Sequence, residues 1–133
     1  MKTLIVEDEL TSRVLLREIL KRYGPPHVAM NGKQGVDAVR TALEAGDPYD
    51  LICLDIMMPE MDGQEALKRI RQLEADAGVA AEKRARVIMT TALADKGNVL
   101  EAIRSQCDYF LVKPIDGRAL LEELRRFGLI PPA

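Results

Sequence analysis

Leu51-Ile52-Cys53-Leu54-Asp55 is an apolar run closed by an acid, and two other runs follow the same plan. Leu4-Ile5-Val6 leads into Glu7-Asp8, and Phe110-Leu111-Val112 leads into Lys113-Pro114. If the runs are neighbouring parallel strands, the carboxylates and the ammonium meet at one edge of a sheet. Open α/β sheets bind their ligands outside the carboxyl ends of the strands. Acids gathered there repel one another unless an oxygen-seeking divalent cation and the lysine offset their charge. The pattern therefore predicts a site for Mg2+ and a phosphoryl group beyond Leu54.

Between the runs the period changes. Leu16, Ile19, Leu20 and Tyr23 recur at i, i+3, i+4 and i+7 beside a basic row of Arg13, Arg17 and Lys21. That spacing predicts an amphipathic helix, stopped by Gly24-Pro25-Pro26. His27 to Met30 is a weaker strand candidate, and Asn31-Gly32 opens a helix through Val36, Val39 and Leu43 to Gly46. Pro59 and Asp62-Gly63 break the chain before a third helix striped by Ala66, Ile70 and Leu73, with Asp62 and Glu65 at capping-box spacing. Glu74 to Arg86 reads as a long Ala-rich, charged connection. Val87 to Thr91 is a fourth apolar run, Asp95 to Arg104 a helix and Tyr109 to Val112 the fifth run. Asp116 caps a last helix, buried through Leu120, Leu121, Leu124 and Phe127, with Glu122 and Arg126 paired outside. Five repeats of strand then helix predict an α/β fold: a doubly wound parallel sheet with helices on both faces, joined by right-handed crossovers.

At 133 residues the chain is expected to form a single domain, 1–133, with no output domain. Met1 directly before the first run favours a natural start. A net charge of -2 and a pI near 5.5 leave no clustered Lys and Arg for counterion release, so no direct nucleic-acid partner is expected. Cys53 and Cys107 lie far apart and His27 is the lone histidine, which excludes a zinc site and a redox motif. Cys53 is expected to be a small buried hydrophobe and His27 structural or exposed. There is no signal-peptide core and no apolar stretch of bilayer length. A cytoplasmic protein without membrane insertion is the expectation.

Val6-Glu7-Asp8, then Leu54-Asp55-Ile56-Met57-Met58-Pro59-Glu60-Met61-Asp62-Gly63, then Thr91-Ala92, then Phe110-Leu111-Val112-Lys113-Pro114 span nearly the whole chain in order. Together they resemble the successive signatures of receiver domains of bacterial two-component response regulators, of the single-domain, chemotaxis-regulator-like kind. Ala29-Met30-Asn31-Gly32 resembles a further pattern of that family. The resemblance implies a flavodoxin-like strand order 2-1-3-4-5. It implies a phosphoryl group accepted on Asp55 from a sensor histidine kinase or histidine phosphotransfer protein, with self-catalysed phosphorylation and dephosphorylation only. Mg2+ is implied as the cofactor, held by Glu7, Asp8, Asp55 and the backbone carbonyl of Met57; Glu7 stands where the family more usually has aspartate. Lys113 is implied to pair with Asp55 at rest and with the phosphoryl group afterwards, and to precede a cis peptide to Pro114. Thr91 is implied to donate its hydroxyl to a phosphoryl oxygen, with Phe110 following as the aromatic switch. That movement would remodel a face of the fourth helix, fifth strand and fifth helix, the expected seat of a downstream protein target or a phosphorylation-dependent dimer. Met57 and Leu93 flank the implied path of the hydrolytic water; both are apolar, so slow autodephosphorylation is expected. Gln106-Cys107 departs from the family's usual Gly-Ala.

Residue by residue, other roles stay open. Asp55 alone is as consistent with a loop cap, Glu7 and Asp8 with the first turn of a helix, and Lys113 with a snorkelling surface residue. Thr91 suits a strand in any case, and Phe110 suits an ordinary core. An aspartate-nucleophile phosphatase resembling haloacid dehalogenases needs a second Asp two residues after the nucleophile, where Met57 stands. A flavodoxin-like cofactor binder needs a Ser, Thr and Gly loop after the first strand, where Glu7-Asp8-Glu9 stands. A phosphorylation-independent interaction module would normally lack an acid or the lysine, and this chain keeps them.

Overall fold

Apolar runs that are buried on both faces need parallel neighbours and helices above and below, and the chain supplies them. The computed structural model describes residues 1–92 and 107–133. The helix expected at Asp95 to Arg104, with Leu93 and Gln106, lies outside the described residues. Strands β1 (Thr3–Val6), β2 (His27–Ala29), β3 (Leu51–Asp55), β4 (Arg86–Thr91) and β5 (Tyr109–Val112) form one sheet. Its order is β2-β1-β3-β4-β5 with every pairing parallel, as the resemblance implied. Central β3 is buried along its whole length, whereas the edges β2 and β5 expose Val28 and Val112.

Side chains alternate between the two faces of each strand. Ile5, Leu51, Cys53, Ile88 and Leu111 meet Leu16 and Leu20 of α1 (Leu10–Leu20) and Leu120 and Leu124 of the C-terminal helix (Gly117–Arg126). On the other face, Leu4, Val6, Ile52, Leu54, Val87 and Met89 meet Val36 and Val39 of α2 (Gly32–Glu44) and Leu67 and Ile70 of α3 (Gly63–Asp76). Continued to the strand ends, the alternation assigns Glu7, Asp55, Thr90 and Lys113 to the face of α1. Thr91 and Phe110 fall on the face of α2 and α3.

Short polar side chains start the helices as their sequence positions predict. Asn31 accepts from the Gln34 amide, Asp62 from the Glu65 amide and Asp116 from the Arg118 amide, each at 2.9 Å; such caps contribute about 1 kcal/mol apiece. The final helix departs from expectation in its surface pairing. Arg126 turns to Glu123 at 3.3 Å, and Glu123 is itself buried, so the less solvated carboxylate takes the guanidinium in place of exposed Glu122. Leu120 and Leu124 are fully buried there, while Leu121 and Phe127 are only half-buried at the margin.

The connection from Glu74 to Arg86 is tied down. Helix α3 runs to Asp76, a single 3-10 turn spans Ala81–Lys83, and buried Arg71 bonds Glu74 at 2.8 Å, the Ala85 carbonyl at 2.8 Å and Asp108 at 3.0 Å. Glu74 accepts from the Ala85 amide and Asp108 from the Val87 amide. This charged cluster closes the amino ends of β4 and β5, opposite the predicted site. Cys53 is buried as expected, and exposed His27 bonds the Tyr49 hydroxyl at 2.7 Å. Among the described residues, no helix is long and apolar enough to cross a membrane.

Candidate functional site

The strands hand their ends to one another at the carboxyl edge of the sheet. The Glu7 amide donates to Ala29 O, the Ile56 amide to Thr90 O and the Lys113 amide to Thr91 O. These bonds extend the ladder one residue beyond the apolar runs and hold the polar residues at the rim. The segment after Asp55 then folds back: the Gly63 amide donates to Ile56 O at 2.8 Å, and a Cβ on Gly63 would overlap the carbonyl oxygen of Asp55. Only glycine lets α3 begin so close to the strand end. The peptide bond between Lys113 and Pro114 is cis, as the resemblance implied.

Glu7, Asp8 and Asp55 each bring a carboxylate oxygen within 4.8 Å of the others. Their exposures differ sharply: Glu7 is 0% and Asp55 4% accessible, while Asp8 is exposed. Lys113 joins them, with Nζ 2.7 Å from Glu7 Oε1 and 3.6 Å from Asp55 Oδ1. The first contact is a close ion pair. The other Glu7 oxygen accepts from the Glu9 amide at 3.2 Å, and Asp55 Oδ1 accepts from the Met57 amide at 3.4 Å. Lys113 is thus held chiefly by Glu7, where the resemblance implied Asp55. The physical reason is reach and depth. The longer glutamate arm carries its carboxylate to the ammonium, and a fully buried charge needs the counter-ion more than a slightly accessible one.

The electrostatics follow from this crowding. Burial, the close approach of the Glu7 carboxylate and its charge push Asp55 up from its ordinary 3.8 to about 7, against the opposing Lys113 charge and Met57 amide. Burial lowers Lys113, but the approach of Glu7 and the charges of Asp55, Glu7 and Glu9 outweigh it and leave the ammonium raised. Glu9 is held low by the Ser12 hydroxyl and by Lys113. Without added positive charge, Asp55 is a reluctant anion. A divalent cation among the three carboxylates would ionise it and leave a nucleophilic oxygen at the rim.

Thr91 closes β4 and is 2% exposed. Phe110 is half-buried against the core beneath α2 and α3, its ring stacked on Tyr109 with centroids 6.2 Å apart. Met57 projects from the rim, 65% exposed, while its expected companion Leu93 and the fourth predicted helix lie outside the described residues. Two participants were not singled out from sequence. Arg13 donates to the carbonyls of Glu7 and Asp8 at 3.1 and 3.3 Å, stapling α1 onto the acidic turn. Thr90 is buried beside Asp55 in the sheet register. Arg13 was visible only as part of a basic helical row, and Thr90 as strand propensity.

A sequence model of the response regulator receiver domain matches residues 3–125. The chain is 35% identical over 125 residues to the chemotaxis protein CheY of Bacillus subtilis, covering 94% of this chain and 95% of that one. It is 34% identical to part of the hybrid signal transduction histidine kinase G of Dictyostelium discoideum, covering 98% of this chain but 4% of the kinase. In structure it resembles the receiver domain of the histidine kinase CKI1 from Arabidopsis thaliana, determined in complex with Mg2+ and BeF3-. That likeness has a TM-score of 0.80 and 30% identity, covering 94% of this chain and 89% of that one. The match over residues 3–125, the parallel sheet and the acidic cluster with its lysine agree: this chain belongs to the response regulator receiver domain family.

Proposed function

We propose that this chain is a phosphorylation-dependent signalling module that accepts a phosphoryl group on Asp55 from a histidine kinase or a histidine phosphotransfer protein. The observation that carries the proposal is the nearly buried Asp55 carboxylate, flanked by the Lys113 ammonium and two further acids at the carboxyl ends of β1 and β3. In the transfer, an Asp55 oxygen forms a bond to phosphorus as the bond from phosphorus to the donor imidazole nitrogen breaks, and the electron pair leaves with that nitrogen. The protein's part is mostly positioning and charge neutralisation.

The donor set fits Mg2+: hard oxygens within 4.8 Å of one another, with exposed Asp8 leaving room for the waters that this ion retains. Asp8, Asp55 and the Met57 carbonyl would hold it, with Glu7 shared between the ion and Lys113. When bound, the ion supplies positive charge that ionises Asp55 and neutralises the incoming phosphoryl oxygens. Lys113 then holds one phosphoryl oxygen and the Thr91 hydroxyl another, and Phe110 moves with Thr91 on the face of α2 and α3. Output is proposed to be a changed protein-binding surface that includes β5 and the C-terminal helix. In the protein's own chemistry, formation and hydrolysis of the acyl phosphate are self-catalysed, without turnover of other substrates.

The test uses a bacterial histidine kinase autophosphorylated with labelled ATP. Label is expected to pass to this chain in Mg2+ and to stay on the kinase when the ion is chelated. Failure to accept label from kinase, phosphotransfer protein or the small donor phosphoramidate would contradict the proposal.

A further inference from the structure

Thr90 is a polar residue buried beside Asp55 near the end of β4. It is 1% exposed, and its hydroxyl has no hydrogen-bond partner among the described residues. A buried hydroxyl left unpaired is destabilising, so it calls for a state in which it is paired.

Its neighbours indicate which state. Thr90 pairs in register with Asp55 of β3 on one side and Leu111 of β5 on the other. Ile88, two residues earlier, packs with Cys53 and Leu111 toward α1, and strand alternation puts Thr90 on that same face with Asp55 and Lys113. Lys113 leaves the end of β5, yet its ammonium lies near Asp55 on β3 and Glu7 after β1. Because β4 lies between β5 and β3, the lysine crosses the end of β4 on the face that carries Thr90. At rest it is drawn to the far side, 2.7 Å from Glu7 and 3.6 Å from Asp55. A phosphoryl group on Asp55 adds a charge of about -1.5 to -2 there and pulls the ammonium back from β1 toward β3, the strand beside Thr90. The ammonium offers several N–H donors, and the hydroxyl has lone pairs to receive one.

We propose that Thr90 is a positioning residue for Lys113. When the ammonium leaves Glu7 for the phosphorylated Asp55, the Thr90 hydroxyl accepts one of its N–H bonds and holds the lysine on the phosphoryl group. The inference rests on the phosphoacceptor function proposed above, and Thr90 acts only through the lysine.

The test measures binding of beryllofluoride with Mg2+ by calorimetry in wild type, Thr90→Val, Thr90→Ser, Lys113→Met and the Thr90→Val/Lys113→Met double variant. Val keeps the β-branched shape and removes the hydroxyl, so Thr90→Val should melt at the wild-type temperature or higher and bind Mg2+ alone normally. Its affinity for beryllofluoride is expected to fall about tenfold, the scale of a hydrogen bond to a charged group. Thr90→Ser should restore it, and the loss should vanish in the Lys113→Met background. Unchanged binding in Thr90→Val, or a tenfold loss that persists without the lysine, would overturn the assignment. Wild type that fails to bind beryllofluoride at all would instead refute the phosphoacceptor function, and Thr90's role with it.

Discussion

The extra methylene of Glu7 carries its carboxylate to 2.7 Å from Lys113 Nζ, whereas the Asp55 carboxylate stops at 3.6 Å. Glu7 therefore has a cation beside it before any metal arrives, and Mg2+ must compete with that ammonium. Lys113→Ala is predicted to tighten Mg2+ binding by about fivefold, because a unit charge some 4 Å away contributes on the order of 1 kcal/mol in a water-accessible site. Isothermal titration with Mg2+ checks this; weaker binding in the variant would contradict the placement of the lysine. The residues of the site were legible in the sequence because each stands where an apolar run stops, and the family resemblance assigns roles to them. The preference of Lys113 for Glu7 was not legible, since it depends on side-chain length and on which carboxylate is buried deeper. Thr90 was equally silent, because a threonine in a strand needs no explanation until its hydroxyl is found without a partner.

Among the elements, β1, β3 and β4 were readable because a strand buried on both faces needs apolar residues at consecutive positions. Edge strand β2 has three residues and exposes two of them, so its sequence signal was correspondingly weak. The connection after α3 was not readable at all. Its anchor, Arg71, meets Glu74 within its own helix but meets Asp108 from 37 residues away, a separation that no local pattern reveals. Arg71 and Glu74 are both buried, and Arg86 adds a bond to Asp108 at 3.2 Å while its guanidinium lies 4.9 Å from the Phe127 ring centroid. Removing the central cation leaves buried carboxylates uncompensated, so Arg71→Ala is predicted to cost about 3–5 kcal/mol in urea unfolding. Because the cluster closes the amino ends of the strands, the folded variant should still take up phosphoryl groups. A loss below 1 kcal/mol, roughly what a surface pair contributes, would show that the cluster is not the anchor.

At the scale of the whole molecule, the site makes stability depend on pH in a direction that can be worked out. Asp55 is raised from 3.8 to about 7 in the folded state, so between those values the folded chain binds more protons than the unfolded one. Stability from this group is therefore fully present below about pH 4 and is lost as pH rises through about 7. Asp55→Asn removes the dependence. In metal-free buffer its melting temperature should match wild type near pH 4 and exceed it by on the order of 5 °C near pH 8, with saturating Mg2+ narrowing the gap. A difference that stays flat across this range would mean that Asp55 is not strained by burial and by Glu7. The same carboxylate carries the central claim, that folding gathers three strand ends into one phosphoacceptor. Intact mass spectrometry after incubation with acetyl phosphate and Mg2+ tests it most directly: wild type should gain one phosphoryl group and Asp55→Asn none, whereas undiminished uptake by Asp55→Asn would contradict the account.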